Sequence, residues 1–418
     1  MLTYLENFLR LIYGVGVLFV ARHLLGAESF ASFAFYLSLA TLCYGVSKFS
    51  FDAYAIREFV LHPSQAVSVL WRLMLIRSIG SIVIVGALMV CLSAFDKYEA
   101  LYSLIIVFQF VRVVDTVEWL LRAEGKLATQ AIVRIVSMIV VLLALTILLV
   151  NSHSVSAWHI VLVQLSEWGV ILVAYLTIFA RKATKEVSGG KADKLLLDAS
   201  VKKVVAGSMY AYAGFVLFLL YSKIDQFLLN WLLQPESYGV YMIAARLTEA
   251  AVVLIMSLNL FFYPKLVSAH AVSFGRFSIM VRRISLAFLL IATVVVLFVW
   301  IARGLYDYFP LMFRDVVPNE LLVILSWMIF SVIPVFFFGL RSSFFTIVDK
   351  PGNILFGAVL GFSSAVLIGI PLMYIWGALG GALCIFSVAL FSLFLSNFCT
   401  VAGRRYLRVI FAIKGVPS

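Results

Sequence analysis

The sequence predicts an all-α membrane protein with about twelve transmembrane helices, and three observations lead to that prediction. Of the 418 residues, 64% are hydrophobic and only 12% are charged, whereas soluble domains are about half apolar and a quarter charged. The apolar residues come in runs of about twenty, the length of helix that crosses a hydrocarbon core. The basic residues fall mainly between alternate runs, which is typical of a multi-pass topology.

The apolar runs define approximate span cores in both halves of the chain. In the first half they are 8–25, 29–49, 71–95, 100–121, 128–150 and 157–180. In the second half they are 204–230, 238–263, 281–303, 320–343, 352–375 and 377–402. The first run is followed directly by Arg22 and His23 without a small-residue cleavage site, which predicts a retained helix and not a signal peptide.

Lysine and arginine predict the orientation, because short cytoplasmic loops accumulate them. If the N terminus is inside, about twenty basic residues fall in the cytoplasmic loops and the C-terminal tail. The opposite loops hold only Arg22, Lys97, Arg303 and Arg314. Both termini are therefore predicted to be cytoplasmic. We assign the net charge of +12 to topology and expect no nucleic-acid partner, because the basic residues are scattered over the loops.

A repeated phrase predicts how the helices are grouped. "LLGAESF" from Leu24 recurs as "LLQPESY" from Leu232, each in a short outer turn, and "LLRAEGK" has a fainter echo in "FFTIVDK". Chance similarity in a Leu-rich chain is the alternative to an internal duplication. Because the offset covers six spans, a duplication gives two six-helix lobes related by a pseudo-two-fold axis along the membrane normal, around a central cavity. We place the lobes at 1–180 and 204–418, the second including a basic cytoplasmic tail, with a cytoplasmic linker at 181–203.

Charged residues inside the spans are candidate functional residues, because a charge at the bilayer centre costs about 2.5–3.5 kcal/mol unless it is paired or hydrated. The basic ones are Arg10, Lys48, Arg72, Arg77, Arg112, Arg134, Lys223 and Arg246. The acidic ones are Asp115, Glu118, Glu167, Asp225 and Glu249. Since the basic residues outnumber the acidic ones, the sequence predicts a positive, aromatic-bearing cavity that suits an anionic substrate with sugar faces.

Helical spacing indicates which of these charges share a face. In span 4, Arg112, Asp115, Glu118 and Arg122 lie along one stripe. That stripe is either a set of ion pairs between helices or a hydrated face lining the cavity.

Spans 7 and 8 carry a second set of charges. In "YSKIDQFLLN", Lys223 and Asp225 are two residues apart and cannot share a helix face, so one can face the cavity while the other meets a neighbouring helix. In "AARLTEA", Arg246 and Glu249 do share a face and can partly neutralise each other.

The stretch "YSKIDQFLLNWLLQPESYGVYMIAARLTEA", followed by "FFYPKL", resembles the span 7–8 region of bacterial polysaccharide flippases of the O-antigen (Wzx) type. Those proteins belong to the multidrug/oligosaccharidyl-lipid/polysaccharide (MOP) exporter superfamily. "ARHLLGAESFASFAFY", "FDAYAIREF" and "LRAEGK" are similar to further motifs of that family. The sequence departs from the family pattern at Ala31, where glycine is usual, and in "VSKFSFD", which lacks the usual glycine near the end of span 2.

The resemblance implies a flippase that moves undecaprenyl-diphosphate-linked oligosaccharide, an O-antigen or related repeat unit of lipopolysaccharide biosynthesis, from the cytoplasmic to the periplasmic leaflet of the bacterial inner membrane. Arginine and lysine would bind the diphosphate through charge-assisted hydrogen bonds, and rocking of the lobes would give alternating access. The candidate substrate-binding residues are Lys223, Arg246, Arg22, Lys48, Arg112 and Tyr221. The candidate coupling or gating residues are Asp225, Glu249 and Glu167. Lipid-linked oligosaccharide and membrane lipid are the expected partners, and the resemblance also admits a polysaccharide polymerase and a chain-length regulator.

The remaining features argue against a catalytic role. No glycine-rich phosphate loop precedes a Lys-Ser/Thr pair, the histidines lack metal-ligand spacing, and the four cysteines are unpaired in spacing, so no cofactor, metal or ATP consumption is expected. The first alternative is a multidrug or cation antiporter of the same superfamily, which would need carboxylates facing its cavity. The second is a polysaccharide polymerase or ligase, for which only the outer loop 304–319, with Arg314 and Asp315, offers candidate catalytic groups.

Overall fold

A computed structural model of the chain describes residues 2–95, 99–150, 156–187, 194–308, 318–348, 350 and 352–411. All regular secondary structure in these ranges is helical, which confirms the predicted all-α fold class. The chain divides into two compact units, Met1–Val216 and Leu217–Ser418. The proposed lobes and the linker at 181–203 stay predictions, since residues 188–193 lie outside the described ranges.

The N-terminal unit contains long helices joined by short turns. They are α1 (Leu2–Leu24), α2 (Ala27–Val46), α3 (Asp52–Leu61), α4 (Ala66–Ala94), α5 (Ala100–Val107), α6 (Val117–Ala123), α7 (Leu127–Val150), α8 (Ala157–Val187) and the first part of α9 (Lys194–Tyr221). A 3₁₀ helix, Phe108–Thr116, joins α5 to α6. Helix α7 packs against α1 and α8, and the 3₁₀ stretch packs against α4 and α8, so that Trp119 and Tyr175 lie in a buried apolar core.

The C-terminal unit is built in the same way. Its helices after α9 are α10 (Ile224–Leu232), α11 (Pro235–Val272), α12 (Phe274–Tyr308), α13 (Asn319–Met328), α14 (Val332–Phe337), α15 (Arg341–Ile347), α16 (Gly352–Ser364), α17 (Ile370–Ala389), α18 (Ser396–Cys399) and α19 (Val401–Phe411). Helix α11 packs against α12 and α13, and α12 packs against α14 and α19. The largest apolar core of this unit includes Phe277, Phe336, Phe344 and Tyr406.

Nine helical stretches in the described residues are long and apolar enough to cross a membrane. One of them, Gly352–Cys399, is 48 residues long and contains the predicted span core 352–375 and most of 377–402. Helices α1 and α11, which contain the first and eighth predicted span cores, have 23 and 38 residues but are not among the nine. The chain is therefore a multi-pass membrane protein, and the count of twelve spans stays a prediction.

The predicted seventh span is interrupted, which the sequence pattern did not indicate. Helix α9 ends at Tyr221 and α10 begins at Ile224, with Lys223 in a non-helical conformation between them. A second interruption lies at Gly377, whose φ of +53° is a backbone conformation that favours glycine. Irregular backbone inside a membrane protein is tolerated where it is buried in protein or lines a cavity.

The two copies of the repeated phrase have the same local structure. In each, a helix ends at the first leucine of the phrase, Leu24 or Leu232, and the next helix begins three residues later, at Ala27 or Pro235. The residue just before each new helix, Gly26 or Gln234, has an extended backbone conformation.

The fainter echo also has a structural counterpart. The Lys126 N–H donates to the Leu121 carbonyl at 2.8 Å, and the Lys350 N–H donates to the Phe345 carbonyl at 2.8 Å. Equivalent backbone hydrogen bonds at matching places in the two halves support the internal duplication.

Candidate functional site

A buried charge network forms the polar centre of the N-terminal unit. The Arg134 guanidinium, from α7, donates to Asp115 Oδ2 at 3.0 Å and to Glu118 Oε1 at 2.5 and 2.8 Å. All three side chains are almost fully buried. Two carboxylates share one guanidinium here, an arrangement that holds α7 firmly against the span containing α5 and α6.

Glu118 has further partners that complete its hydrogen bonding. The Tyr175 hydroxyl donates to Glu118 Oε1 at 2.8 Å, and the Gln130 amide donates to Oε2 at 3.0 Å. The Arg122 Nη2 atom lies 3.4 Å from the same Oε2. A carboxylate with this many donors is well stabilised in a buried site and is a poor candidate for binding a mobile ligand.

The 3₁₀ geometry of 108–116 explains why Arg112 and Asp115 are neighbours. Side chains three residues apart are eclipsed in a 3₁₀ helix. Arg112 Nε lies 3.8 Å from Asp115 Oδ2, and the Tyr44 hydroxyl donates to the same oxygen at 2.8 Å. Because Asp115 is held more closely by Arg134, its charge is shared between two arginines.

Two predicted substrate-binding cations meet at one aromatic ring. The Arg112 guanidinium lies 3.6 Å from the centroid of the Tyr44 ring, and Lys48 Nζ lies 5.7 Å from it. The Trp168 ring is also within 5.7 Å of Arg112. Lys48 has no carboxylate partner among the described residues. Positive charge therefore exceeds negative charge around Tyr44.

The other predicted residues of the N-terminal unit lie in simpler surroundings. Glu167 accepts hydrogen bonds from the Tyr13 hydroxyl at 2.7 Å and from the Gln164 amide at 2.9 Å. The Arg22 guanidinium lies 6.0 Å from the centroid of the Phe30 ring. Glu167 is thus held by neutral donors.

In the C-terminal unit, one carboxylate holds two predicted substrate-binding cations. Lys223 Nζ lies 2.5 Å from Glu249 Oε1, and Arg246 Nη1 donates to Glu249 Oε2 at 2.9 Å. The Gln226 amide donates to Glu249 Oε1 at 2.7 Å and its carbonyl accepts from Lys223 at 3.3 Å. Glu249 therefore neutralises about one of the two positive charges.

Asp225 is buried near this group but has different hydrogen-bond partners. Its Oδ2 accepts a hydrogen bond from the Tyr241 hydroxyl, while its Oδ1 has no hydrogen-bond partner. The buried Tyr238 hydroxyl in the same unit is also without one. Because the helix is interrupted at Lys223, the side chains of Lys223 and Asp225 reach different partners on α11, Glu249 and Tyr241.

Tyr221, the remaining predicted substrate-binding residue, ends α9. Its ring meets Phe218 edge-on with a centroid distance of 5.4 Å, and its hydroxyl hydrogen-bonds Ser392. The ring also lies so close to Gly361 that a Cβ there would be 2.9 Å from it. Tyr221 is thus packed into the C-terminal unit.

Two buried arginines have neutral partners in the described part of the chain. Arg77 donates to the Thr116 hydroxyl at 2.6 Å and to the Ser47 carbonyl at 3.1 Å, and it is fully buried. Arg341 donates to Asn397 Oδ1 at 3.0 Å and to the Ser396 hydroxyl at 3.0 Å. The sequence marks Arg77 as an embedded charge but gives no role to either residue.

Several partners in these networks were missed from the sequence. Arg134 was recognised as an embedded charge, but its pairing with Asp115 and Glu118 depends on how α7 packs. The tyrosines that contact carboxylates, Tyr44 and Tyr241 among them, resemble ordinary apolar span residues in sequence. The sequence offers one signal for such contacts, because the hydroxyl of a buried tyrosine usually finds a hydrogen-bond partner and a charged residue in a span is a candidate partner.

Metal and disulfide chemistry find no support in the described residues. They contain no cluster of three or more histidine, cysteine or acidic side chains that would hold a metal ion. All four cysteines are free thiols, Cys43 and Cys384 buried, Cys91 and Cys399 exposed. The candidate catalytic pair of the polymerase alternative, Arg314 and Asp315, lies outside the described residues.

Comparison with known proteins identifies the family. A family model described as "Polysaccharide biosynthesis protein" matches residues 2–270, well over half of the chain. The chain belongs to this family. The match agrees with the resemblance found in the sequence and confirms it. No curated protein sequence matches the chain.

The fold of this polysaccharide biosynthesis protein is similar to solved transporter structures of the MOP superfamily. A multidrug resistance MATE family transporter in an inward-facing conformation is 11% identical, with a TM-score of 0.64, over 98% of this chain and 96% of that one. The lipid II flippase MurJ in an inward closed conformation is 12% identical, with a TM-score of 0.64, over 100% and 93%. The Vibrio cholerae MATE transporter VcmN is 13% identical, with a TM-score of 0.64, over 99% and 97%. At these identities the likeness concerns the fold.

Proposed function

We propose that this protein is a flippase for polyprenyl-diphosphate-linked oligosaccharide, an undecaprenyl-linked O-antigen or related repeat unit, and that it works in the bacterial inner membrane with both termini in the cytoplasm. Membership of the polysaccharide biosynthesis family and a fold shared with MOP transporters support a membrane step in glycan assembly. A lipid-linked glycan must cross the bilayer between its assembly and its use outside. Alternating access between two lobes would supply that step without chemistry on the substrate.

The observation that carries this proposal is the pair of cations at the Tyr44 ring. Lys48 and Arg112 both approach it, and Asp115, the carboxylate next to Arg112, is already held by Arg134. A diphosphate carries at least two negative charges and accepts charge-assisted hydrogen bonds from both side chains. The neighbouring aromatic rings suit the apolar faces of sugars. We therefore assign Lys48 and Arg112 to the diphosphate in the N-terminal unit.

The remaining candidate residues have secondary roles in the proposal. Lys223 and Arg246 keep a net positive charge after pairing with Glu249, so they would contact the glycan or diphosphate more weakly. Arg22 and Tyr221 stay candidates for substrate contact. Glu249 would hold Lys223 in place.

Transport needs a source of energy, and the carboxylates offer candidates for ion coupling. Asp225 and Glu167 are held by neutral donors, whereas Glu249 is paired with two cations. A carboxylate without a cationic partner can change its proton occupancy at a smaller electrostatic cost. We therefore favour Asp225 and Glu167 over Glu249 as carriers of a coupling proton.

Substitution of the two cations tests the substrate assignment. Lys48→Gln with Arg112→Gln should reduce flipping of lipid-linked oligosaccharide by on the order of a hundredfold, since each charge-assisted hydrogen bond contributes about 1.5–3 kcal/mol. The measurement is the fraction of glycan lipid on each face of proteoliposomes that an added glycosidase can cleave, with protein abundance and melting temperature as checks. Arg57→Gln, an exposed cation elsewhere in the same unit, is the matched control. Unchanged flipping by a well-folded double variant would reject the assignment.

Deletion of the gene separates the function classes. Labelled lipid-linked glycan should accumulate in the cytoplasmic leaflet if the protein is the flippase. Accumulation of unpolymerised units outside would instead identify a polymerase. The antiporter alternative is favoured by one observation, the two carboxylates Asp225 and Glu167, which accept hydrogen bonds from neutral donors and form no ion pair within the described ranges. Loss of drug resistance with normal surface glycan would select it.

A further inference from the structure

The C-terminal unit brings together arginines that are far apart in sequence. Helix α19, which follows the last predicted span, packs against α12, and the Arg405 guanidinium lies 4.1 Å from the centroid of the Phe274 ring at the start of α12. The apolar side of α19 is buried through Tyr406, Leu407 and Ile410. The short basic helix is therefore docked on the folded body, side by side with the first turns of α12.

The outer side of α19 places two arginines between two exposed apolar side chains. Val401, Arg404, Arg408 and Phe411 share one helix face, at positions i, i+3, i+7 and i+10, and all are exposed. Val401 is 77% exposed and Phe411 is 51% exposed. Large apolar side chains exposed this far are unfavourable in water but favourable at the boundary between headgroups and acyl chains.

The start of α12 has an exposed face with the same spacing. Arg276, Ile279, Arg283 and Leu286 lie at i, i+3, i+7 and i+10, and each is exposed. We call the arginines of the two faces, Arg276, Arg283, Arg404 and Arg408, the basic face. No ion pair involves them in the described part of the chain. The sequence contains no aspartate or glutamate between Glu249 and Asp307 or from Lys350 to the end.

We propose that the basic face binds the phosphodiester headgroups of anionic phospholipids in the adjacent leaflet. Arginine presents a planar guanidinium that matches phosphate oxygens, and the exposed apolar residues beside the arginines insert at the acyl boundary. The charge complementarity is one-sided, because α19 has no acidic side chain and the first acidic residue of α12 is Asp307, at the opposite end of that helix. The positive-inside pattern of the sequence assigns this face to the cytoplasmic leaflet.

The proposal does not depend on the transported substrate. A lipid-binding face holds the end of the C-terminal unit at a fixed depth in the membrane whether the cargo is a glycan lipid or a drug. Its test therefore has a readout other than transport, and its failure would leave the proposed function untouched.

Native mass spectrometry of the full-length protein with equal amounts of phosphatidylglycerol and phosphatidylethanolamine tests it. The wild type should retain phosphatidylglycerol preferentially. Arg404→Gln with Arg408→Gln, and separately Arg276→Gln with Arg283→Gln, should lower that preference by on the order of fivefold for each arginine. Arg404→Lys with Arg408→Lys should keep part of it, since charge remains but the planar donor pair does not.

A matched control removes the same charge from another surface. Arg57→Gln with Arg181→Gln takes two exposed cations from the N-terminal unit and should leave the preference unchanged. Equal retention of both lipids by the wild type, or an equal loss in the control, would overturn the proposal. Displacement of phosphatidylglycerol by inorganic phosphate at similar concentration would also overturn it, by identifying a site for soluble anions. Since all substituted arginines are exposed, unchanged melting temperatures should accompany each variant.

Discussion

The buried carboxylates of the N-terminal unit and those of the C-terminal unit are held in different ways. Asp115 and Glu118 share the Arg134 guanidinium at 2.5–3.0 Å and accept further hydrogen bonds from neutral donors. In the C-terminal unit, Glu249 holds two cations, and Asp225 accepts hydrogen bonds from the Tyr241 hydroxyl and the Gln226 backbone N–H. In the N-terminal unit, two acids, Asp115 and Glu118, thus share one central base, Arg134. In the C-terminal unit, two bases share one acid, Glu249.

The difference bears on which charges are available for a ligand. In the N-terminal unit Asp115 and Glu118 are both paired with Arg134, although Asp115 Oδ1 has no hydrogen-bond partner, and Lys48 and Arg112 add positive charge near Tyr44. In the C-terminal unit the cations are held by Glu249, and the available group is the carboxylate Asp225. This difference agrees with the proposal that Lys48 and Arg112 in the N-terminal unit contact the diphosphate and that Asp225 in the C-terminal unit is one of the two candidate proton carriers.

Removing Arg134 should have the largest effect on stability. Arg134→Met leaves two buried carboxylates without their shared cation, and breaking a buried ion pair by removing one partner costs about 3–5 kcal/mol. We expect a large loss of folded protein, measured as membrane abundance and as the melting temperature in detergent. Arg134→Lys, which keeps the charge but not the fork of donors, should recover part of the loss. A normal melting temperature for the Met variant would contradict the network's structural role.

The corresponding change in the C-terminal unit should have a smaller effect. Glu249→Gln leaves Lys223 buried near Arg246 without a carboxylate, but the Glu249 side chain is 35% exposed, so water lessens the cost to about 1–3 kcal/mol. The double variant Lys223→Met, Glu249→Gln should be more stable than the sum of the single changes predicts. Unfolding of the four proteins of this cycle measures the coupling, which we expect to be about 1–2 kcal/mol. Additive effects would mean that the 2.5 Å contact contributes little.

Arg77 gives a sharper comparison with Arg134, because both are buried arginines in the same unit. Arg77 donates to a hydroxyl and to backbone carbonyls and has no ion pair in the described residues. Replacing a buried charge by an apolar side chain of similar volume is often neutral or stabilising when no buried counter-charge is left behind. Arg77→Met should therefore change the free energy of unfolding by less than about 1.5 kcal/mol. A loss as large as that of Arg134→Met would mean that its hydrogen bonds to Ser47 and Thr116 hold spans together.

Much of the fold follows from the sequence, and the site follows only in part. Apolar runs predict the spans because burial in lipid needs continuous apolar helices, and the repeated turn at Leu24 and Leu232 predicts matching local structure. The break at Lys223 was not predictable, because nothing in "YSKIDQFLLN" disfavours a helix. Helix ends inside a span depend on tertiary contacts, here those of Lys223 and Asp225 with α11.

The charged residues were found from the sequence, but their partners were not. A charge in a span is unusual wherever it occurs, so Lys48, Arg112 and Asp225 stand out in the sequence. Which acid meets which base depends on the rotation of each helix about its axis. Spacing fixes only pairs on the same helix, such as Arg246 with Glu249, and these are in contact in the structure.

The smallest expected effect concerns an ion pair outside the spans, where water screens the charges. Glu124, in the turn between α6 and α7, contacts Lys126 and Lys182. Partial burial acts to raise the pKa of Glu124, but the hydrogen bonds and charges of the two lysines outweigh it and lower the pKa below the usual 4.5. Because the pKa is lower in the folded state, the ionised carboxylate stabilises the protein at pH values above the unfolded-state pKa. This stabilisation is lost as the pH falls through the folded-state pKa.

Glu124→Gln should therefore lower the stability at pH 7 by less than about 1 kcal/mol, as is usual for exposed pairs. The difference in melting temperature between the variant and the wild type should shrink towards zero as the pH falls below 4.5 and through the lowered folded-state pKa of Glu124, where the wild-type carboxyl takes up its proton. Lys182→Gln, which removes one of the two cations, is the control and should reproduce part of the effect at pH 7 only. A difference that persists in acid would assign the role of Glu124 to neutral hydrogen bonding. In that case screening by water would not be the reason why the Glu124 substitution destabilises the protein less than the Arg134 substitution.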